Sequence, residues 1–127
     1  MKLRFRDNSI RLRLTRSEVD SVARNGLVKG SVPFSAGVSF DYVLESSPAC
    51  VEPVAHLSNS VLTVCLPQAD AGAWAGSEQV SITAEQNLDD GGVLHILVEK
   101  DFACITPRAN EDESDMFPHP AAGRDSR

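Results

Sequence analysis

The sequence predicts an α+β protein, mainly antiparallel, with a strongly curled or closed sheet of about eight strands and two short helices outside it. Three observations carry this expectation. Alternation of apolar and polar residues, the period of a strand, recurs along the chain up to Glu99. Residues that favour tight turns separate the alternating runs. Only two stretches carry helix-start chemistry, too few helices to cover both faces of a parallel, doubly wound sheet.

Lys2-Leu-Arg-Phe-Arg6 and Ile10-Arg-Leu-Arg-Leu14 alternate strictly around Asp7-Asn8-Ser9, so two short strands joined by a tight turn are expected. Thr15 stands three residues before Glu18, the spacing of a capping box; Val19, Val22 and Ala23 give one apolar side, and Asn25-Gly26 is a left-handed stop. A helix of about ten residues therefore follows the second strand. Residues 28–34 and 37–46 read as the next strands. In the latter Val38, Phe40, Tyr42 and Leu44 take one face, and Ser39, Asp41 and Glu45 the other. Pro48 interrupts.

A second block begins with strands over 51–57 and 60–66, around Ser58-Asn59. Pro67 opens a short helix with Ala71, Trp74 and Ala75 inward, weakened by Gly72. Gln79–Ala84 alternates again, and Asp89-Asp-Gly-Gly92 turns the chain into Val93–Glu99. Leu94, Ile96, Leu97 and Val98 suit a central strand. Residues 1–109 thus read as a single β-rich domain. From Asn110 the composition shifts to Glu111, Asp112, Glu113 and Asp115 with Pro118 and Pro120, so residues 110–127 read as an acidic, flexible tail.

The order strand, strand, helix, strand, strand occurs twice, which suggests a ββαββ pseudo-repeat. An offset of 52 places Leu12 on Val64, Leu14 on Leu66, Val19 on Ala71, Val22 on Trp74 and Val28 on Val80.

Charge is segregated along the chain. Residues 1–29 carry eight cations and three acids on a protein of net charge −6, and no Lys or Arg lies between Lys29 and Lys100. Period two puts Lys2, Arg4, Arg6, Arg11 and Arg13 on the face opposite Leu3, Phe5, Ile10, Leu12 and Leu14. Like charges opposite one another in a hairpin are destabilising, so something negative must offset them. Asp41, Glu45, Glu85 and Glu99 are the candidate groove acids, along with Glu52, and His56 and His95 fall on strands near them. Three readings stay open: a solvated face neutralised by such carboxylates, a concave groove holding phosphate or carboxylate through arginine forks, or a surface for an acidic protein. The tail at 111–115 is also a candidate partner, as a local latch.

Other classes of function find little support. An acidic protein with few aromatics lacks the broad positive surface of a nucleic-acid binder. No apolar h-region and no run of roughly 20 apolar residues appear, so neither a secretory signal nor a membrane partner is expected, and the cytoplasm is the expected compartment. Cys50, Cys65 and Cys104 are odd in number and widely spaced, unlike a disulfide framework or a CxxC metal site. There is no Gly-rich phosphate loop, His56, His95 and His119 have no metal-ligand spacing, and neither a metal nor a cofactor is expected. A Cys/His pair, such as Cys65 or Cys104 with His56 or His95, and the acids Glu99 and Asp101 are the remaining catalytic candidates. Lys100, Asp101 and Arg108 are placed to line the mouth of a groove.

Met1–Leu14, with Glu99-Lys-Asp-Phe-Ala-Cys104 and the Glu111-Asp-Glu…Phe117-Pro118 end, resembles a family of small uncharacterised bacterial proteins that carries no established activity. The order of elements also resembles the triphosphate-tunnel proteins of the adenylate cyclase and thiamine triphosphatase group, which bind triphosphate compounds with a divalent metal inside an eight-stranded tunnel. Their Glu-x-Glu-x-Lys strand is absent; the first strand here, Lys2-x-Arg4-x-Arg6, suits phosphate but not metal, leaving acids to come from Glu45, Glu85 or Glu99. The expected function is binding of a phosphate- or carboxylate-bearing ligand through the basic face. A non-enzymatic protein-interaction module and a metal-dependent triphosphate hydrolase are the alternatives, and whether the protein is an enzyme stays open.

Overall fold

Local chemistry sets each element of the chain, of which the computed structural model describes residues 1–102. The strands and helices are β1 (Lys2–Arg6), β2 (Ser9–Leu14), α1 (Arg16–Asn25), β3 (Leu27–Ser35), β4 (Val38–Ser47), β5 (Val54–Ser58), β6 (Val61–Pro67), α2 (Gln68–Ala75), β7 (Ser81–Asn87) and β8 (Val93–Lys100). Asp7, at φ 49°, closes the β1–β2 hairpin, and Asn59 and Ser60, at 54° and 65°, close β5–β6; short polar side chains tolerate that left-handed backbone. In α1 the Thr15 hydroxyl accepts from the Glu18 backbone N–H, and Glu18 Oε1 accepts from the Thr15 backbone N–H at 2.9 Å. Gly26, at φ 86°, ends the helix by donating its N–H to the Val22 carbonyl. The domain boundary at 109 and the tail over 110–127 lie outside the described residues.

The strands do not form one curled or closed sheet. They form two open, mixed sheets of four strands, ordered β1-β2-β8-β7 and β3-β4-β6-β5. Each sheet joins a hairpin from one half of the chain to a hairpin from the other, through a parallel pair at its centre: β2 with β8, and β4 with β6. The physical reason is that α1 and α2 each carry the chain from one sheet to the other. Hairpins joined by a helix therefore never extend the same sheet, and four edges remain unclosed. The triphosphate-tunnel architecture falls with the closed sheet.

The register exposes an internal two-fold relation. Leu3–Leu12 in the first hairpin corresponds to Ala55–Val64 in the third, and Leu27–Glu45 corresponds to Ser81–Glu99. Single hydrogen bonds repeat as well: Asp41 N–H to Ser60 O (3.0 Å) matches His95 N–H to Asn8 O (2.8 Å), and Ser46 N–H to Gly26 O (2.9 Å) matches Lys100 N–H to Val80 O (3.0 Å). The offset is 52 in the hairpins, with Leu12 onto Val64, and 54 after the helices, with Leu44 onto Val98. Val28 thus corresponds to Ile82, not Val80, because more residues join α2 to β7 than the lone Gly26 that joins α1 to β3.

One core serves both sheets and both helices. Leu12, Leu14 and Val98 from the first sheet, Leu44, Val64 and Leu66 from the second, and Val22 and Trp74 from the helices are all essentially sealed from solvent. Each contributes roughly 1.5–3 kcal/mol through burial. The Trp74 indole N–H donates to the Val80 carbonyl at 2.9 Å, so the ring is buried without a lost hydrogen bond. The two flanks of the core are closed differently. Gln86 of β7 accepts from the Ala55 N–H at 2.7 Å and donates to the Ala55 carbonyl at 3.1 Å, covering the edge of β5. On the other flank Phe5 meets Phe40 edge-on at 6.5 Å, Phe40 stacks on Tyr42, and the Tyr42 hydroxyl donates to the Met1 carbonyl. Phe5, expected in the core, remains 58% exposed because β1 is an edge strand.

Gly30 lies under the Tyr42 ring, where an added Cβ would stand 2.3 Å from Cζ. Gly30→Ala is expected to displace the ring and lower stability by about 1–3 kcal/mol in urea unfolding; an unchanged midpoint would show that the ring is not held. The Glu18 carboxyl is raised by burial, but its bonds to the Met1 ammonium and Thr15 outweigh that and hold it below its ordinary 4.5. Its contribution to stability is therefore complete above 4.5 and is lost as pH falls through the lower folded value. Glu18→Gln should reduce stability at pH 7 and shallow the acid limb of the stability–pH curve; parallel curves for the two proteins would refute the assignment.

Candidate functional site

Alternation along β2 buries Ile10, Leu12 and Leu14 and turns Ser9, Arg11 and Arg13 outward. The β1–β2 register sets Lys2 opposite Arg13 and Arg4 opposite Arg11, so all five predicted cations share the outer face of the first sheet. Glu99 reaches the same face from β8, directly beside Arg13 in the parallel register. Arg13 Nε donates to Glu99 Oε1 at 2.8 Å, and Arg11 Nε lies 3.5 Å from the same oxygen. Lys2 Nζ is 3.1 Å from Asp101 Oδ2. Among the described residues, Arg4 and Arg6 have no carboxylate within ion-pair distance.

The remaining predicted acids are divided. Glu85 of β7 is on this face but at its far side, where its carboxylate lies 3.5 Å from His95 Nδ1. Asp41 and Glu45 are on the outer face of the second sheet and do not meet the basic strip, since Leu44 between them points into the core. The Ser31 hydroxyl (2.6 Å) and the Ser39 hydroxyl (3.1 Å) donate to Asp41 and, with the field of Lys29, hold it below its usual range. Asp41 is thus committed to local bonds as a carboxylate.

A hollow of about 600 Å³ on the basic face is lined by Ser9, Arg11, Thr83, Glu85 and His95, and its lining includes none of Lys2, Arg4, Arg6 or Arg13. Of the strip, only Arg11 lines this hollow. Among the described residues, no three His, Cys, Asp or Glu side chains are grouped to hold a metal ion. A larger hollow of about 700 Å³ lies where the described chain ends, between Leu14, Val19, Ala75, Lys100 and Phe102.

Cysteine chemistry is disfavoured at Cys65. Burial, the neighbouring Cys50 thiol and Glu45 push the Cys65 thiol up to about 12, so it is no thiolate nucleophile at neutral pH. Cys50 Sγ donates to the Glu52 carbonyl at 3.0 Å and to the Cys65 carbonyl at 3.4 Å, and both thiols are free. No motif foretold that contact: it arises because the turn after β4 folds back beside β6. By internal symmetry Glu45 and Cys65 occupy the places of Glu99 and Arg13, so the ion pair of one sheet is a thiol and a carboxylate in the other. Cys104, Arg108 and His119 lie outside the described residues.

The fold and this face define a two-sheet, mostly β protein whose charge is concentrated at one sheet edge. The chain belongs to a family of unknown function, DUF7009, whose model matches residues 1–121. No curated protein and no solved structure matches the chain. No helix among the described residues is long and apolar enough to cross a membrane.

Glu99 is the strongest counter-charge of the strip, with its side chain 17% exposed beside Arg13 at 37%. A double-mutant cycle over Arg13→Ala and Glu99→Ala should give a coupling of about 0.5–1 kcal/mol. The coupling should shrink in 1 M salt, where screening falls to about 3 Å; zero coupling at low salt would refute Glu99 as a counter-charge of Arg13.

Proposed function

We propose that the outer face of β1–β2 is a docking surface for an acidic, carboxylate-rich protein segment, and that it binds rather than catalyses. One observation carries the reading: five cations on an open face meet only Glu99 and Asp101 among the described residues, leaving Arg4 and Arg6 unneutralised on an edge strand. An extended acidic segment satisfies such a strip because its carboxylates are spread along a line, as the arginines are. A pocketed small anion would need walls that direct several cations to one point, and the hollow on this face holds only Arg11 of the strip. The edge of β1 adds backbone groups on which an incoming strand can pair.

The cytoplasm of a bacterium is the setting we propose. The similarity of the opening to small bacterial proteins supports it, as do two neighbouring thiols that remain unbonded. Exposed ion pairs contribute little each, so binding is expected to be weak, with a Kd on the order of 10⁻⁴ M at low salt.

Fluorescence anisotropy with a labelled deca-glutamate peptide checks this directly. Binding should appear at 20 mM salt, fade at 500 mM, and weaken at least about fivefold in Arg4→Ala/Arg6→Ala. Equal affinity of the double variant would overturn the assignment. A rise in melting midpoint with tripolyphosphate, without peptide binding, would return the face to the small-anion reading.

A further inference from the structure

Resting on that reading, we propose that the face already has an occupant within this chain: the acidic run Glu111–Asp115 docks along the Arg4 and Arg6 side of β1 and competes with any partner that binds there. Three observations converge on it. The described chain ends beside β1, since the Asp101 N–H donates to the Leu14 carbonyl at 2.8 Å and its carboxylate pairs with Lys2. Asp101 is thus the first carboxylate of the C-terminal stretch and is already seated on the basic strip. The charge left over also matches. Arg4 and Arg6 lack carboxylates among the described residues, while Glu111, Asp112, Glu113 and Asp115 put four carboxylates in five positions.

Reach is sufficient. The nine residue steps from Phe102 to Glu111 span up to about 30 Å when extended, whereas the four steps of β1 from Lys2 to Arg6 run only about 13 Å. A tether of this length holds the acidic run near the face at an effective concentration in the millimolar range. Ion pairs too weak to assemble from dilute solution therefore form in cis. A separate partner must displace the run, so its apparent affinity falls by the ratio of effective concentration to the intrinsic dissociation constant of the contact. The contact is regulated by anything that changes charge on either side, ionic strength first.

The test uses the full chain and a full-length variant carrying Glu111→Gln, Asp112→Asn, Glu113→Gln and Asp115→Asn, whose amide spectrum confirms that the fold is intact. The arginine Nε–Hε resonances of Arg4 and Arg6 should differ between the two proteins at 20 mM salt and converge at 500 mM. Deca-glutamate should bind the neutralised variant about three- to tenfold more tightly than the unaltered chain. If neutralisation leaves both the resonances and the peptide affinity unchanged while the peptide still binds, the cis contact is refuted and the docking face stands. Resonance changes without peptide binding to either protein would keep the cis contact and remove the docking reading. Changes confined to residues around the Phe102 hollow would overturn the proposal by placing the run elsewhere.

Discussion

Everything in this fold depends on two parallel strand pairs, β2 with β8 and β4 with β6. Each half of the chain makes two hairpins and a helix, but neither half pairs its own hairpins with each other. A lone hairpin is marginal in water, and the apolar faces of these are covered only when the other half supplies the central neighbour. Leu12 meets Val98 and Val64 meets Leu44 across those pairs, and all four are buried in the same core. The two halves are therefore mutual templates, and the core is one unit rather than two small ones.

That exchange also explains the electrostatics of the basic face. The β1–β2 hairpin sets Lys2 against Arg13 and Arg4 against Arg11, a repulsive arrangement on its own. The relief comes from the other end of the chain, through Glu99 on β8 and Asp101 just beyond it. The first two strands are thus electrostatically incomplete without the last one. Relief is graded from the sheet interior outward: Arg11 and Arg13 on β2 share a half-buried carboxylate, whereas Arg4 and Arg6 on the edge strand meet no carboxylate among the described residues. The excess positive charge is displaced to the part of the sheet where a second molecule or another stretch of chain has room to approach.

The elements were legible because their causes are local. The Thr15–Glu18 box and Gly26 mark both ends of α1 in the sequence, and they are the groups that bond there. Alternation likewise assigned the inward residues of β2 and β4 and gathered the five cations on one side. Pairing between hairpins was not legible, because those strand partners are chosen by contacts between distant residues and nothing near Ser9 signals His95. Eight alternating strands are compatible with one closed sheet or two open ones; the crossing of each helix between sheets decides the matter, and a helix carries no mark of its destination. For the same reason alternation alone does not separate Asp41 and Glu45 from the basic strip, although they lie on the other sheet. The two-fold relation was visible only as a pattern of apolar residues, and its slip from 52 to 54 comes from a longer linker after a shorter second helix rather than from side chains.

The contact between Arg13 and Glu99 spans 86 residues of chain. During synthesis, β2 emerges long before the strand that flanks it, and β4 must likewise wait for β6. The second sheet can close once β6 has emerged, but the first is complete only when β8 has left the ribosome, so until then the β1–β2 hairpin lacks the central neighbour that covers its apolar face. Such long-range topology slows folding, because the ends must meet before contacts reward the encounter. The dense positive charge at the front then has a second consequence: it keeps the earliest hairpins of successive nascent copies apart while their true partner is still being made.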